Sequence, residues 1–324
     1  MSNQSTVAPA ALRKRTALQQ FIINFKKNWQ LHLMMLLPLA YILIFEYIPM
    51  YGLQMAFRDF RTGDGHTITS APWVGLEQFK LFFDNIAWTR IVSNTLRISI
   101  YSMVASFPVP IILALILHVN ERKVLKKVTQ NVSYVPHFIS TVVMVGILNQ
   151  IFNPFNGLFA ALYQYTGISF FQFDLMNDAT IFDHVYVWSG VWQSMGWSAI
   201  MYVAALSAVP MELHEAAKID GASRIRRIFA VDLPAIMPTI VILLILRCGS
   251  IMSVGYEKLY LMRNALTSSR AEVISLYVYE RGLRGGDYSF GTAVGMMNSV
   301  INTCMIIAVN WIANKISDGE QGLF

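Results

Sequence analysis

The sequence predicts an all-α integral membrane protein with six transmembrane helices. Of its 324 residues, 55% are hydrophobic and only 14% are charged, whereas a soluble chain carries about a quarter charged residues. Six apolar stretches also reach the roughly 20 residues that a helix needs to cross a bilayer. They lie at roughly 31–57, 91–119, 132–154, 184–209, 235–261 and 288–314. A soluble helical protein with an unusually apolar core is the less favoured alternative.

The distribution of basic residues predicts the orientation in the membrane. An even number of spans places both termini on one side, and the loops on that side hold fourteen Lys and Arg against eight on the other. Because cytoplasmic loops carry the excess of Lys and Arg, both termini are predicted to be cytoplasmic. The net charge of +6 is therefore explained mainly by the basic residues of the cytoplasmic loops, which set the orientation in the membrane. Nucleic-acid binding is not expected, since the basic residues are divided among short loops.

A polar segment separates the fourth and fifth predicted spans. A charged stretch of this length cannot remain in hydrocarbon, so it must emerge on one side of the membrane and be used there. Pro210 is placed to open a short helix, Gly221 to turn the backbone, and Pro234 to end a second helix. The segment contains the runs Glu215-Ala216-Ala217-Lys218-Ile219-Asp220-Gly221 and Val231-Asp232-Leu233-Pro234.

This spacing resembles the EAA loop of permease subunits in binding-protein-dependent ABC importers. In that pattern EAA is followed by three residues, Gly, nine residues, Ile, one residue and Leu-Pro, and only Val231 departs from it. The resemblance implies a six-helix importer permease whose coupling helix docks onto a cytoplasmic ATPase subunit. In this role the carboxylates accept hydrogen bonds from the ATPase, the alanines keep the docking face flat, and the glycine sets the turn. The residues assigned to coupling are Glu215, Ala216, Ala217, Asp220, Gly221, Leu233 and Pro234.

A second resemblance narrows the family. The runs 256–264 and 273–279 are similar to the region that forms the outer gate and the binding-protein contact in sugar-importer permeases. Together the two resemblances cover roughly 85–315 and are closest to the oligosaccharide and polysaccharide branch, which includes alginate-type importers. They imply a bacterial cytoplasmic membrane, a second permease that forms a heterodimer with this chain, two ATPase subunits and an extracytoplasmic solute-binding protein. ATP and Mg are expected on the ATPases, because this chain has no GxxxxGK[ST] run.

The predicted organisation has four parts. They are a cytoplasmic N-terminal arm over 1–30, a first transmembrane helix with its external loop over 31–90, a core permease domain over 91–315 that includes the coupling loop 210–234, and a cytoplasmic tail over 316–324. The arm is interpreted as retained, because the apolar stretch that follows is too long for a signal peptide. Membrane lipid is its expected partner. The spacing of apolar residues predicts a surface helix over 74–83.

Polar and aromatic residues inside the spans indicate where a solute would pass. Buried polar groups in a membrane are costly and need a partner or a water-lined path, and sugars suit aromatic stacking combined with amide hydrogen bonds. An aromatic belt or helix-to-helix hydrogen bonding explains the same residues without transport. Arg247 either receives a sugar carboxylate or pairs with a carboxylate on the partner permease. The candidate path residues are Trp192, Gln193, Trp197, Arg247, Ser253, Tyr256 and Asn298.

The sequence gives little support for a disulfide, a metal site or a catalytic site. The two cysteines fall inside predicted spans, and the six histidines form no metal-ligand spacing. No catalytic residue, metal or cofactor is therefore predicted on this chain. The rival function is an ion-coupled secondary transporter, which would need a carboxylate in mid-membrane and usually inverted repeats.

Overall fold

The structure is a computed structural model that describes residues 25–316. The predicted N-terminal arm lies outside these residues except for 25–30, and the tail except for Ile316. The chain divides into two compact units, 1–54 and 55–324. In the first unit, helix α1 (Trp29–Ile42) continues into a π-helical turn, Leu43–Tyr47, and neither element buries a side chain. Its apolar side chains are thus available to lipid, as expected of a membrane helix.

The second unit is also helical, and its described residues contain no β-strand beyond one isolated bridge between Arg58 and Trp73. Its helices are α2 (Glu77–Phe83), α3 (Trp88–Ser106), α4 (Pro108–Val119), α5 (Lys123–Tyr134), α6 (Thr141–Phe152), α7 (Leu158–Thr166), α8 (Phe182–Ser207), α9 (Met211–Ile219), α10 (Arg224–Arg227), α11 (Leu233–Cys248), α12 (Tyr256–Met262), α13 (Ser268–Ala271), α14 (Ile274–Val278) and α15 (Tyr288–Ile316).

The helices supply four to six candidate membrane spans and confirm the predicted fold class. Four stretches are long and apolar enough to cross a bilayer as single helices, at Trp29–Phe57, Trp88–Val119, Arg224–Cys248 and Tyr288–Lys315. Two bent pairs of helices bring the number to six if each pair forms one span. They are Lys123–Phe138 with Thr141–Phe152, and Phe182–Ser207 with Met211–Ile219.

The third span is not the single helix expected over 132–154. Helix α5 ends at Tyr134, a 3₁₀ turn that contains Pro136 follows, and α6 starts at Thr141 after a bend of 103°. Proline lacks the N–H that would continue the α-helix, and the Ser140 hydroxyl accepts a hydrogen bond from the Val143 N–H at 3.4 Å, which caps the new helix. Consequently the predicted third span is divided into an amphipathic helix, α5, and a short apolar helix, α6.

The fifth span begins and ends earlier than the expected 235–261. The helix runs from Arg224 to Cys248, and the chain then turns before α12. Gly249 follows the last helical residue, and Gly255 precedes α12. The break that the sequence allowed at these two glycines is therefore present.

Pro234 does not end a helix, contrary to the prediction. It lies in the first turn of α11, which continues directly from α10 through the π-helical turn Ile228–Asp232. In a regular α-helix the proline ring would collide with the carbonyl four residues earlier, and its missing N–H would leave that carbonyl unpaired. The wider π turn takes up one extra residue at this point, so the helix passes through the proline.

The packing of α4, α8 and α11 positions the functional segments. Ala114 and Leu115 of α4 lie in one buried cluster with Ala199 and Leu206 of α8 and Ile236 of α11. Ile228 of the π turn and Leu233 at the start of α11 pack against this cluster. The segment that directly follows α10 is therefore packed against the bundle.

Candidate coupling surface and transport cavities

The polar loop forms a helix, a tight turn and a second helix. Pro210 precedes α9, as predicted. Gly221 has φ of +75°, and its N–H donates to the Lys218 carbonyl while the Ala222 N–H donates to the Ala217 carbonyl, at 3.0 and 2.9 Å. This pair of bonds is the Schellman motif, in which glycine adopts the left-handed conformation just beyond a helix. Gly221 thus sets the turn between α9 and α10.

The EAA residues form an exposed surface on α9. Glu215, Ala216 and Asp220 are exposed, and neither carboxylate forms an ion pair with any residue in 25–316. Ile219 is 86% exposed beside them. One exposed apolar side chain does not by itself mark an interface, so the coupling role of these residues stays a prediction. We name α9 with Gly221 the coupling surface.

The end of the polar loop belongs to the bundle rather than to this exposed surface. Leu233 packs against the cluster of α4, α8 and α11, whereas Pro234 is exposed. The assignment of Leu233 and Pro234 to coupling stays a prediction. In this geometry they connect the coupling surface to the fifth span.

Arg247 is exposed near the end of α11 and borders three neighbouring cavities. The largest has a volume of about 370 Å³, and each of the other two has about 180 Å³. Arg247 forms no ion pair among the described residues. Neither Asp nor Glu borders any of the three cavities, and serine hydroxyls are frequent in their walls. The serines are Ser99, Ser102, Ser106, Ser194, Ser198, Ser250 and Ser253.

Lys258 adds a second positive charge to one of these cavities. Its ammonium donates hydrogen bonds to the Tyr186 carbonyl at 2.8 Å and to the Ser189 hydroxyl at 2.9 Å. The same ammonium lies 4.8 Å from the centre of the Tyr186 ring. The Tyr186 carbonyl and the Ser189 hydroxyl of α8 therefore hold Lys258, which lines the same cavity as Arg247.

The structure brings four of the predicted path residues together. Gln193, Trp197 and Ser253 each line a cavity that Arg247 also lines. The Gln193 amide is held by donation to the Ile139 carbonyl at 2.8 Å. Trp197 stacks on the His137 ring, with centroids 4.5 Å apart.

The other three path candidates lie elsewhere. Trp192 is 45% exposed, Tyr256 stacks on Tyr279 with centroids 4.4 Å apart, and none of the three candidates lines the cavities around Arg247. The Asn298 side-chain oxygen is buried without a hydrogen-bond partner. Their roles in transport stay predictions. Lys258 was not among the predicted path residues, because it meets the same cavity as Arg247 only through the turn between α11 and α12.

Two ion pairs organise the opposite end of the bundle. Arg97 pairs with Asp183 at 2.7 Å. Arg263 donates two hydrogen bonds to the Glu280 carboxylate, at 2.8 and 2.5 Å. The hydrogen bonds to Glu280 raise the pKa of the Arg263 guanidinium. The first pair joins α3 to α8, and the second joins the end of α12 to the π turn Tyr279–Arg284 that follows α14.

Several apolar helices long enough to cross a membrane, an exposed polar loop between two of them and polar cavities beside Arg247 define a class of protein, a multi-pass membrane permease. Residues 106–318 match the family model for the inner membrane component of binding-protein-dependent transport systems. The chain belongs to this family, which confirms the prediction of an importer permease.

Individual relatives agree over almost the whole chain. Protein LplB of Bacillus subtilis is 39% identical over 92% of each chain. The polygalacturonan/rhamnogalacturonan transport system permease protein YteP of the same species is 35% identical, covering 99% of this chain and 98% of its own.

Solved structures agree as well. A bacterial alginate ABC transporter, in complex with a periplasmic protein bound to alginate pentasaccharide, contains a chain with a TM-score of 0.82 and 33% identity, over 93% of this chain and 98% of that one. The predicted multi-pass permease of the oligosaccharide and polysaccharide branch is thus confirmed, and the chain is a transport subunit.

Proposed function

We propose that this permease imports acidic oligosaccharides or polysaccharides, and that Arg247 receives their carboxylates. The observation that supports this most directly is an unpaired guanidinium shared by three cavities with many hydroxyls and no acid in their walls. Hydroxyls suit sugar OH groups, and Arg binds carboxylates through two parallel hydrogen bonds. Lys258 reinforces the positive potential. A neutral sugar would gain little from either charge.

Two similar proteins support the same substrate class. One relative is described as a polygalacturonan and rhamnogalacturonan permease, and a similar structure belongs to a transporter that imports the acidic polysaccharide alginate. The cargo proposed for this chain is accordingly a sugar chain that carries carboxylates.

The assembly that we propose has a second permease, two ATPases and an extracytoplasmic binding protein. The coupling surface lies on the cytoplasmic side with both termini, in keeping with the excess of Lys and Arg there. The exposed Ile219 and the free carboxylates of Glu215 and Asp220 dock into the ATPase. When the ATPases bind ATP, with Mg, and close, α9 moves, and the buried contacts of α4, α8 and α11 transmit the movement to the spans. No ATP binds to this chain.

An ion-coupled transporter remains the alternative mechanism. Glu46 is exposed in the first unit, and the cavities around Arg247 contain no carboxylate to carry a coupling ion. ATP-dependent uptake in proteoliposomes without any ion gradient would separate the two mechanisms.

Replacement of Arg247 by Gln tests the substrate class. In the complete complex with its binding protein, we expect stimulation of ATP hydrolysis by uronic-acid oligosaccharides to fall about tenfold, because a hydrogen bond to a charged group contributes about 1.5–3 kcal/mol. Stimulation by neutral oligosaccharides of equal length should not change. Arg247→Lys, which keeps the charge, should retain part of the response.

Two outcomes would contradict this role. If Arg247→Gln responds to acidic sugars as the wild type does, the residue does not receive the carboxylate. If the variant loses its partner permease during purification, Arg247 pairs with a carboxylate on that subunit instead.

A further inference from the structure

Three side chains from distant parts of the sequence meet beside the coupling surface. His118 lies at the end of α4, His214 lies on α9 immediately before Glu215, and Asp232 lies in the π turn immediately before Leu233. The Asp232 carboxylate oxygen Oδ1 lies 3.5 Å from the His118 Nε2 and 3.4 Å from the His214 Nε2. Asp232 occupies a position that the EAA pattern leaves free, and none of the transport steps described above uses this cluster, which we name the His–His–Asp cluster.

The cluster is buried and its polar atoms are unsatisfied. Asp232 is 1% exposed and His214 is 7% exposed. The Asp232 Oδ1 and the His214 Nε2 have no hydrogen-bond partner among the described residues. A buried polar group left in this state costs about 1–3 kcal/mol. A cation shared by these atoms and by the His118 nitrogen beside them would satisfy both.

The spacing fits a first-row divalent metal. Zinc binds His nitrogen and carboxylate oxygen at about 2.0–2.1 Å, so the ligand atoms of a tetrahedral site lie about 3.3–3.4 Å apart. The two distances to Asp232 agree with this value, and all three ligand atoms lie within 4.8 Å of one another. Two imidazoles and one carboxylate suit zinc and its neighbours better than magnesium or calcium.

We propose that His118, His214 and Asp232 bind a divalent zinc-class metal ion, with the fourth position open to an adjoining cavity. That cavity has a volume of about 160 Å³, enough for a bound water, and Glu121 also borders it. Arg224, which lines it too, is paired with Glu121 at 3.3 Å. Lys218 and Arg227 also line the cavity, and their charges weaken cation binding, so the metal binds reversibly rather than as a permanent structural ion.

The position of the site predicts a regulatory effect, which rests on the proposed coupling role of α9. The three ligands come from the end of α4, from α9 and from the start of the fifth span. A metal that holds all three together would lock α9 to the bundle. Because coupling requires α9 to move with the ATPase, the bound metal would slow transport.

Binding is tested on the purified complex with Co²⁺, whose visible absorption reports tetrahedral coordination. We expect one ion per chain in the wild type and a loss of affinity of about tenfold or more in His214→Gln and Asp232→Asn. His66→Gln, which changes an exposed histidine elsewhere, should bind as the wild type does. Two near-isosteric variants are used so that misfolding of one does not decide the result. No Co²⁺ binding by the wild type, or unchanged binding by both variants, would overturn the site.

The regulatory effect is tested with Zn²⁺ on substrate-stimulated ATP hydrolysis. Zn²⁺ should slow hydrolysis by the wild-type complex, a chelator should restore it, and His214→Gln should be insensitive. If Zn²⁺ binds and hydrolysis does not change, the locking effect is wrong although the site stands. Failure of the proposed function gives a different result, since metal-free wild-type complex would then show no stimulation by any acidic sugar.

Discussion

Replacement of Gly221 by Val should abolish most uptake without preventing insertion of the protein into the membrane. Gly221 is in the left-handed conformation, with φ of +75°, which costs an L-amino acid about 1–2 kcal/mol, and a β-branched residue has the least freedom to adopt it. When the backbone at this position moves away from the left-handed conformation, the two hydrogen bonds that end α9 are broken. An energy of this size changes the population of the native turn about 5- to 30-fold. Uptake and substrate-stimulated ATP hydrolysis should fall to a similar extent.

The control for this experiment is Gly167→Val. Gly167 also follows a helix, α7, with φ of +69° and open space around it. It therefore experiences the same backbone strain far from the coupling surface. We expect Gly167→Val to retain uptake, and to retain the ATPase during purification. Equal losses in the two variants would show that strain, rather than the coupling surface, causes the defect. Normal uptake by Gly221→Val would remove α9 from the coupling mechanism.

The sequence was sufficient to predict the helix and turn of the polar loop, because all of their determinants are local. Pro210, the EAA run and Gly221 lie within one segment, and backbone rules for proline and glycine predict a helix followed by a turn. The structure has this turn, with the hydrogen bonds of a Schellman motif. Composition and apolar length likewise predict six spans, since a bilayer sets the length of each helix.

Properties that depend on several segments were not predictable in the same way. The cavity charge combines Arg247 of α11 with Lys258 of α12, and both meet α8. His118 and Asp232 join His214 only after α4 and α11 pack against the polar loop. Pro136 is typical of a helix break after Tyr134, but the apolar length of 132–154 favoured a single helix there. The helix passes through Pro234 because the π turn compensates locally, which apolar periodicity does not predict.

The contact between Gly196 and Ser133 predicts the second large effect. Gly196 lies in α8 next to Trp197, and a Cβ atom added there would lie 2.1 Å from the Ser133 carbonyl oxygen of α5. Because the obstacle is backbone, no side-chain rotation relieves it, and α5 and α8 must separate. Overpacking of this kind costs about 1–3 kcal/mol. We expect Gly196→Ala to lower the midpoint of thermal unfolding in detergent and to reduce uptake.

Gly146→Ala is the matched control, because Gly146 is also a helical glycine, in α6, but has nothing within 4 Å of an added Cβ. Alanine favours a helix over glycine by about 0.8–1.0 kcal/mol, so this variant should be unchanged or slightly more stable. If Gly196→Ala lowers the unfolding temperature and Gly146→Ala raises it, the loss of stability comes from packing and not from helix propensity. The close approach also places Trp197 against His137, so loss of the Gly196 contact should displace the indole from the wall of the largest cavity. If Gly196→Ala unfolds at the wild-type temperature, α5 and α8 do not pack as closely in the membrane as their backbones do here, and the position of Trp197 beside the cavity must be set by other contacts.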